Sequence, residues 1–181
     1  MVTMIDVGYA LWLIFPAYCA NAVPVILGGG LPIDFGKIFL DGRPILGSHK
    51  TFRGFFSGLL VGTLVGVFQT ILFQHILSQY NAQFQYDVLL GFMISLGALI
   101  GDLVESFIKR RLDISPGNSL PLGDQLDFVA GALLFSLAVS PPSLPTIFII
   151  LVLTPPIHFL TNLLAGLLGI KSKRRRKERN D

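Results

Sequence analysis

The chain has 181 residues, of which 52% are hydrophobic and 14% charged, with a formal net charge of +3. A soluble domain carries about 25% charged residues, so this chain has too little charge to coat itself in water and enough apolar surface to sit in lipid. Its one cysteine, Cys19, excludes an internal disulfide, and no basic segment precedes the long first apolar run as a cleavable signal peptide requires.

The apolar runs predict an all-α integral membrane protein of about five transmembrane helices. Residues 1–170 read as a single transmembrane domain and 171–181 as a basic tail. The first span is expected over Val7 to Leu27. The second runs from Gly54 to Leu77 and carries Gly54, Gly58, Gly62 and Gly66 in a strict four-residue period. Such a stripe permits close helix contact, either inside the chain or between copies in a homo-oligomer. The third span, Val88 to Ile108, admits Asp102 and Glu105 near its end. From Phe128 to Ile170 the chain is uncharged for about twice the roughly 20 residues a crossing needs. The Pro141, Pro142 and Pro145 segment divides it. A fourth span then begins near Gly123 and ends at Ser140, and a fifth runs from Thr146 to Gly169.

All 14 Lys and Arg fall in three segments: Lys37 to Arg53, Lys109 to Arg111, and the tail from Lys171 to Arg179. With five spans these share one side. The positive-inside rule makes that side cytoplasmic and puts the N-terminus outside. The juxtamembrane tail suits anionic lipid headgroups rather than nucleic acid.

The segment from Gly101 to Asp127 concentrates the chemistry. On a helix Asp102, Ser106 and Lys109 fall on one stripe, with Glu105 beside it. Asp124 and Asp127 are three apart at the start of the next span, and the Pro- and Gly-containing loop lets the two helix ends meet. Interfacial anchoring charges are the bland explanation. Three Asp at helical spacing beside Lys109, Arg110 and Arg111 favour a used site, because intramembrane charges are costly. Carboxylate oxygens suit Mg²⁺, as one or two ions, with Asp102, Asp124 and Asp127 as ligands. The basic triplet suits phosphates.

The pattern Gly101-Asp102-Leu103 with Glu105, Ser106, Lys109 and Arg110, then Pro121, Asp124 and Asp127, resembles the signature of the CDP-diacylglycerol synthase superfamily. Where that family has a Lys-Asp pair and a Gly-His-Gly-Gly run, this chain has a shorter loop around Asn118, and the bacterial enzymes have more spans. The segment Ala17 to Gly58 is similar to the archaeal CDP-archaeol synthase family, as is the run of Thr154, Pro155, Pro156, His158, Thr161 and Asn162. The resemblance implies a CTP-dependent cytidylyltransferase. It would transfer CMP to an unsaturated archaeal ether-lipid phosphate at the cytoplasmic face of the cell membrane and release pyrophosphate. It implies Lys50, Asp102, Lys109, Asp124 and Asp127 as catalytic residues.

The first basic loop fits that expectation. Gly42, Gly47 and Lys50-Thr51 approach a phosphate-binding loop, but two extra residues break the P-loop spacing and no strand precedes it. What remains is glycine amides, then Lys50, Thr51 and Arg53 at a helix start, which favours phosphate. Asp41 and Arg43 are candidates for base or ribose; Ser106, Lys109 and Arg110 complete the expected CTP site. Asn21, His158 and Asn162 are polar residues within spans. Interhelical hydrogen bonding is their common use, and support of the lipid headgroup is the functional alternative. Pro155 and Pro156 are expected to kink the fifth span. A transporter predicts midplane charges and repeated halves, neither of which is visible. A CTP-dependent polyprenol kinase would move the γ-phosphoryl instead.

Overall fold

The computed structural model describes residues 3–73, 87–115, 118 and 123–167. The expected tail 171–181, the end of the second span, the loop before Asp87, and Pro121 lie outside the described residues. Five helices follow in order: α1 Met4–Leu27, α2 Phe52–Leu72, α3 Val88–Arg111, α4 Gly123–Ser136 and α5 Leu144–Leu167. Among the described residues there is no strand, only two isolated bridges in the loop between α1 and α2. Four helices, all but α4, are long and apolar enough to cross a membrane.

Helix starts follow ordinary capping. Thr3 and Asp6 form a reciprocal capping box on α1. Asp87 caps α3 by accepting from the Leu90 N–H at 2.7 Å. α4 begins at Gly123 as expected but stops at Ser136, not Ser140. The N–H groups of Ala138 and Val139 bond back to Phe135 and Ser136, three residues away, which tightens the last turn. The prolines beyond offer no donor to continue it. At 14 residues α4 is about 21 Å long, short of the roughly 30 Å core. α5 runs unbroken through Pro155 and Pro156. Thr154 donates to the Ile150 carbonyl at 2.7 Å and meets the Tyr18 hydroxyl at 2.9 Å, tying this region of α5 to α1.

The core is built by α1, α3, α4 and α5, around Leu13, Ile14, Leu90, Ile94, Phe128 and Ile150. α2 joins through backbone. Its four glycines face inward, where a Cβ on Gly58 would strike the Ala20 carbonyl and one on Gly62 the Ser95 side chain. The seam is therefore within the chain. The opposite stripe, Phe56, Leu60, Leu64 and Phe68, points out to lipid.

α3 and α4 make the most extensive helix contact. A Cβ on Gly97 would meet the Gly131 carbonyl, one on Gly131 the Gly97 carbonyl, and one on Gly101 the Asp127 carbonyl. These glycines bring the backbone of α4 against α3 beside Asp102. Gly101→Ala must push the helices apart, at a cost of about 1–3 kcal/mol. Thermal unfolding in detergent should show the loss, whereas Gly8→Ala, which meets nothing within 4 Å, should leave the melting temperature unchanged or raised.

Candidate active site

The loop from Gly28 to Lys50 is ordered by one carboxylate. Buried Asp34 accepts from the N–H groups of Gly36 at 2.9 Å, Leu46 at 2.8 Å and Gly47 at 3.0 Å. Burial pushes its carboxyl up, but these amides together outweigh that and hold it below the ordinary aspartate value. The loop root pairs with the start of α2: Ile33 donates to the Lys50 carbonyl and Phe52 to the Leu31 carbonyl. Thr51 caps α2, its hydroxyl accepting from Gly54 and Gly29, each at 3.2 Å. Several loop amides expected to face phosphate are thus engaged within the protein. Gly29 is bound by Thr51, Gly36 and Gly47 by Asp34, and Gly42 by the Phe39 carbonyl.

α3 ends in a Schellman motif. Asp113 takes the left-handed conformation at φ 59°, the Ile114 N–H reaches the Lys109 carbonyl, and the Asp113 N–H reaches that of Arg110. Aspartate tolerates this region better than most residues. Arg43 from the loop then donates to the Arg111 carbonyl and pairs with Asp113 at 2.5 Å. Arg111 returns the contact, donating to the Pro44 carbonyl and pairing with Asp41 at 3.2 Å. Its guanidinium lies 4.8 Å from the Phe39 ring centre and 4.7 Å from that of Phe107. Asp41 and Arg43 are therefore held in a reciprocal clamp between the loop and the end of α3.

Inside this clamp the carboxylates meet the lysines. Lys50 reaches Asp102 at 2.6 Å and joins loop to α3. Lys109 is buried and bridges Glu105 at 2.9 Å and Asp124 at 2.5 Å, joining α3 to α4. Asp127 accepts from the Phe128 N–H at 2.6 Å and lies within electrostatic reach of Asp102, Glu105 and Lys50. Arg110 is buried beside them, and among the described residues its Nε and Nη1 have no hydrogen-bond partner. Such an unfilled guanidinium is costly unless an anion meets it.

The family model described as CarS-like, CDP-archaeol synthase, matches residues 1–174. The chain belongs to the CDP-archaeol synthase family. It is 49% identical to a CDP-archaeol synthase of Methanocaldococcus jannaschii over 90% of this chain and 93% of that protein. It is 48% identical to one of Pyrococcus furiosus over 90% and 95%. A solved structure described as an intramembrane enzyme for archaeal membrane lipids biosynthesis matches with a TM-score of 0.76 and 35% identity, covering 87% of this chain and 94% of that one. Members of this family are CTP-dependent cytidylyltransferases, and the expectation of such an enzyme in a multi-pass membrane protein holds.

Within this CDP-archaeol synthase fold the remaining candidates fall in different places. Ser106 is buried on α3, while Arg53 is exposed at the start of α2. Asn21 is half-buried on α1. His158 lies 6.5 Å, ring to ring, from Phe128, the residue after Asp127, so α5 does approach the site. The Asn162 side chain lies outside the described residues. Among the described residues no three His, Cys, Asp or Glu side chains converge tightly enough to hold a metal ion. The donors on offer are nonetheless all carboxylate oxygens, the chemistry of a hard divalent cation. The donor set of Asp102, Asp124 and Asp127 fits Mg²⁺ in kind, with two lysine ammonium groups now among the carboxylates.

The sequence expectation left out Asp113 and Asp34; it placed Glu105 only beside the stripe and gave Arg111 to phosphate, where the structure pairs them with Lys109 and Asp41. Glu105 four residues before Lys109 is a helix ion-pair spacing that signalled it. Asp113 just past the last basic residue is a C-cap signal of the weaker kind. Asp34 went unmarked because two of its three partners lie more than ten residues away.

Two outcomes follow. Asp34→Ala strands three amides, so amide exchange at Gly36, Leu46 and Gly47 should rise. In the unsubstituted protein, protonation does the same. The carboxyl is depressed in the fold, so its contribution is complete above the unfolded value of about 3.9 and fades as pH falls through the lower folded value. Thr51→Ala should cost about 1 kcal/mol in unfolding free energy, and Thr51→Ser should recover most of it.

Proposed function

We propose that this chain transfers CMP from CTP to an unsaturated archaeal ether-lipid phosphate, giving unsaturated CDP-archaeol and pyrophosphate. The reading includes Mg²⁺ dependence, a site at the cytoplasmic face, and an external N-terminus. The observation that carries it is the interleaved cluster of Asp102, Glu105, Asp124 and Asp127 with Lys50, Lys109 and Arg110 at one end of α3 and α4. The family's CTP chemistry needs such a mixture of cations and oxygen donors. The restriction of Lys and Arg to segments on one side supports the orientation.

A lipid-phosphate oxygen attacks the α-phosphorus of CTP, the bond to the β-phosphate breaks, and pyrophosphate leaves. The attacking phosphate is ionised near neutral pH, so no general base is required. The protein supplies position and charge. Lys50 and Lys109 exchange a carboxylate partner for triphosphate oxygens without leaving their helix ends. Arg110 offers its unfilled N–H groups to phosphate. Ser106 adds a short polar contact on the same stripe. Asp102 and Asp124 would hold Mg²⁺, with Asp127 a further ligand or outer partner, and the chemistry such an ion would supply is charge neutralisation at the α-phosphate and the leaving pyrophosphate. Asn21, His158 and Asn162 support the lipid headgroup, which enters sideways from the bilayer.

Purified protein should be given Mg²⁺, CTP labelled in cytosine and in the γ-phosphate, and either unsaturated ether-lipid phosphate or diacyl phosphatidate. Cytosine label entering the ether lipid, with the γ-label released as pyrophosphate, is expected. Entry of the γ-label into lipid would mean a kinase, and a preference for diacyl phosphatidate would overturn the lipid assignment. Asp102→Asn and Asp124→Asn should each abolish turnover while the protein still elutes as a monodisperse folded species in detergent. Full activity in both would remove the metal-ligand assignment.

A further inference from the structure

The loop between α1 and α2 contains a short hairpin. Phe39 donates to the Arg43 carbonyl at 2.7 Å and Ile45 to the Lys37 carbonyl at 3.2 Å, with an isolated antiparallel bridge between Ile38 and Pro44. The tip closes at Gly42, which has φ 78° and donates to the Phe39 carbonyl. Side chains alternate along such a strand. Phe39 turns toward α3, its ring 5.3 Å from that of Phe107, and stays 40% exposed. Ile38 and Leu40 then face the other way, and are 66% and 97% exposed.

A second observation extends this apolar surface. Residues Asp34 to Lys37 form a tight turn with Phe35 at φ 54° and Gly36 at φ 70°. A bulky residue occupies the left-handed region only when its surroundings impose it. Here the three amides on Asp34 and the Lys37 to Asp34 bond fix the turn and hold Phe35 outward, 60% exposed. Its ring lies 5.5 Å from Phe52, which stacks at 6.5 Å on Phe56. Phe56 is the first residue of the outward stripe of α2 that ends at Phe68. Exposed apolar surface thus continues from the lipid-facing side of α2 through Phe52 to Phe35, at the root of the hairpin that carries exposed Ile38 and Leu40.

From this continuity we infer that the hairpin face bearing Phe35, Ile38 and Leu40 is immersed in the headgroup–acyl boundary of the leaflet on the basic side. The occupant of that face is lipid. Charge agrees with this. Lys37 and Arg53 are exposed beside the apolar patch, where they meet anionic headgroups. The one acid at the tip, Asp41, is turned to Arg111 at 3.2 Å. A water-facing loop has no reason to spend backbone strain on presenting a phenylalanine, whereas an interfacial anchor does. The inference stands on the loop alone and is independent of the reaction proposed above.

The test uses the full chain with Cys19→Ser and a spin label on Ile38→Cys, Leu40→Cys or, as a lipid-facing reference, Phe56→Cys. Each variant is reconstituted into vesicles of phosphatidylcholine and phosphatidylglycerol. The two hairpin positions are exposed, so labelling removes no packing, and monodisperse elution checks the fold. Oxygen should relax the labels at 38 and 40 more strongly than a water-soluble nickel chelate does, as at 56. Nickel-dominated relaxation at 38 and 40, with 56 still oxygen-dominated, would place the hairpin in water and overturn the inference. Spectral broadening at 40 that vanishes on dilution with unlabelled protein would mean a second copy covers the face, and would equally overturn it.

Discussion

The backbone contact between α3 and α4 governs the rest of the molecule. Gly97, Gly101 and Gly131 leave no room for a Cβ between the two helices, so their axes approach as closely as backbone allows. That approach puts the carbonyl of Asp127 against Gly101, one residue from Asp102. A spacing set by larger side chains would move α4 outward, and Lys109 would no longer reach both Glu105 and Asp124. Small residues at a helix interface are a packing device in membranes generally. Here the packing also fixes the distance between acidic groups on two helices.

Bringing carboxylates together in a poorly solvated place creates an electrostatic problem. The fold answers it with lysines drawn from separate elements. Lys50 comes from the end of the loop and Lys109 from α3 itself. The Lys50–Asp102 pair links the loop to α3 and the Lys109–Asp124 pair links α3 to α4, so both join elements as well as neutralising charge. On the proposed reaction this coupling would make the cluster responsive to its ligands. An incoming triphosphate would compete for the lysines, and a divalent cation for the carboxylates. When both arrive together, neither set of groups is left without a counter-charge. A phosphate alone would release carboxylates with no partner, and a cation alone would release ammonium groups. On that reading the arrangement would favour joint binding of nucleotide and metal over either alone.

Much of this was legible in the sequence because membrane constraints are strong. Four helices follow from apolar runs, and the proline segment divides α4 from α5 as its lack of donors requires. The carboxylate stripe was legible from helical period alone, since Asp102, Ser106 and Lys109 need only α3 to be a helix. Features that depend on non-local partners were not. The glycine stripe on α2 announced a close contact without saying with what; the answer, α1 and α3, lies in tertiary packing. The early end of α4 depends on carbonyl choices in its last turn. The clamp of Arg43 and Arg111 joins residues 67 and 68 positions apart, beyond any local pattern.

In the first loop a motif-like spacing suggested a use of the backbone that the structure does not show. Its glycines suggested amides presented to phosphate. Gly36, Gly42 and Gly47 instead have positive φ and serve turns, and their N–H groups already have acceptors inside the loop. Asp34 is the acceptor for two of the three, so a carboxylate sits where a P-loop would seat an anion. A phosphate could take the Gly36 and Gly47 amides only by displacing Asp34, whose three bonds hold its carboxyl below the ordinary aspartate value. On the proposed reaction the groups left for phosphate would be side chains, above all Lys50 at the loop's edge together with Arg110 on α3. The loop therefore acts as a rigid arm. Its internal bonds keep its backbone occupied, and its function lies in where it ends, at Lys50 against Asp102.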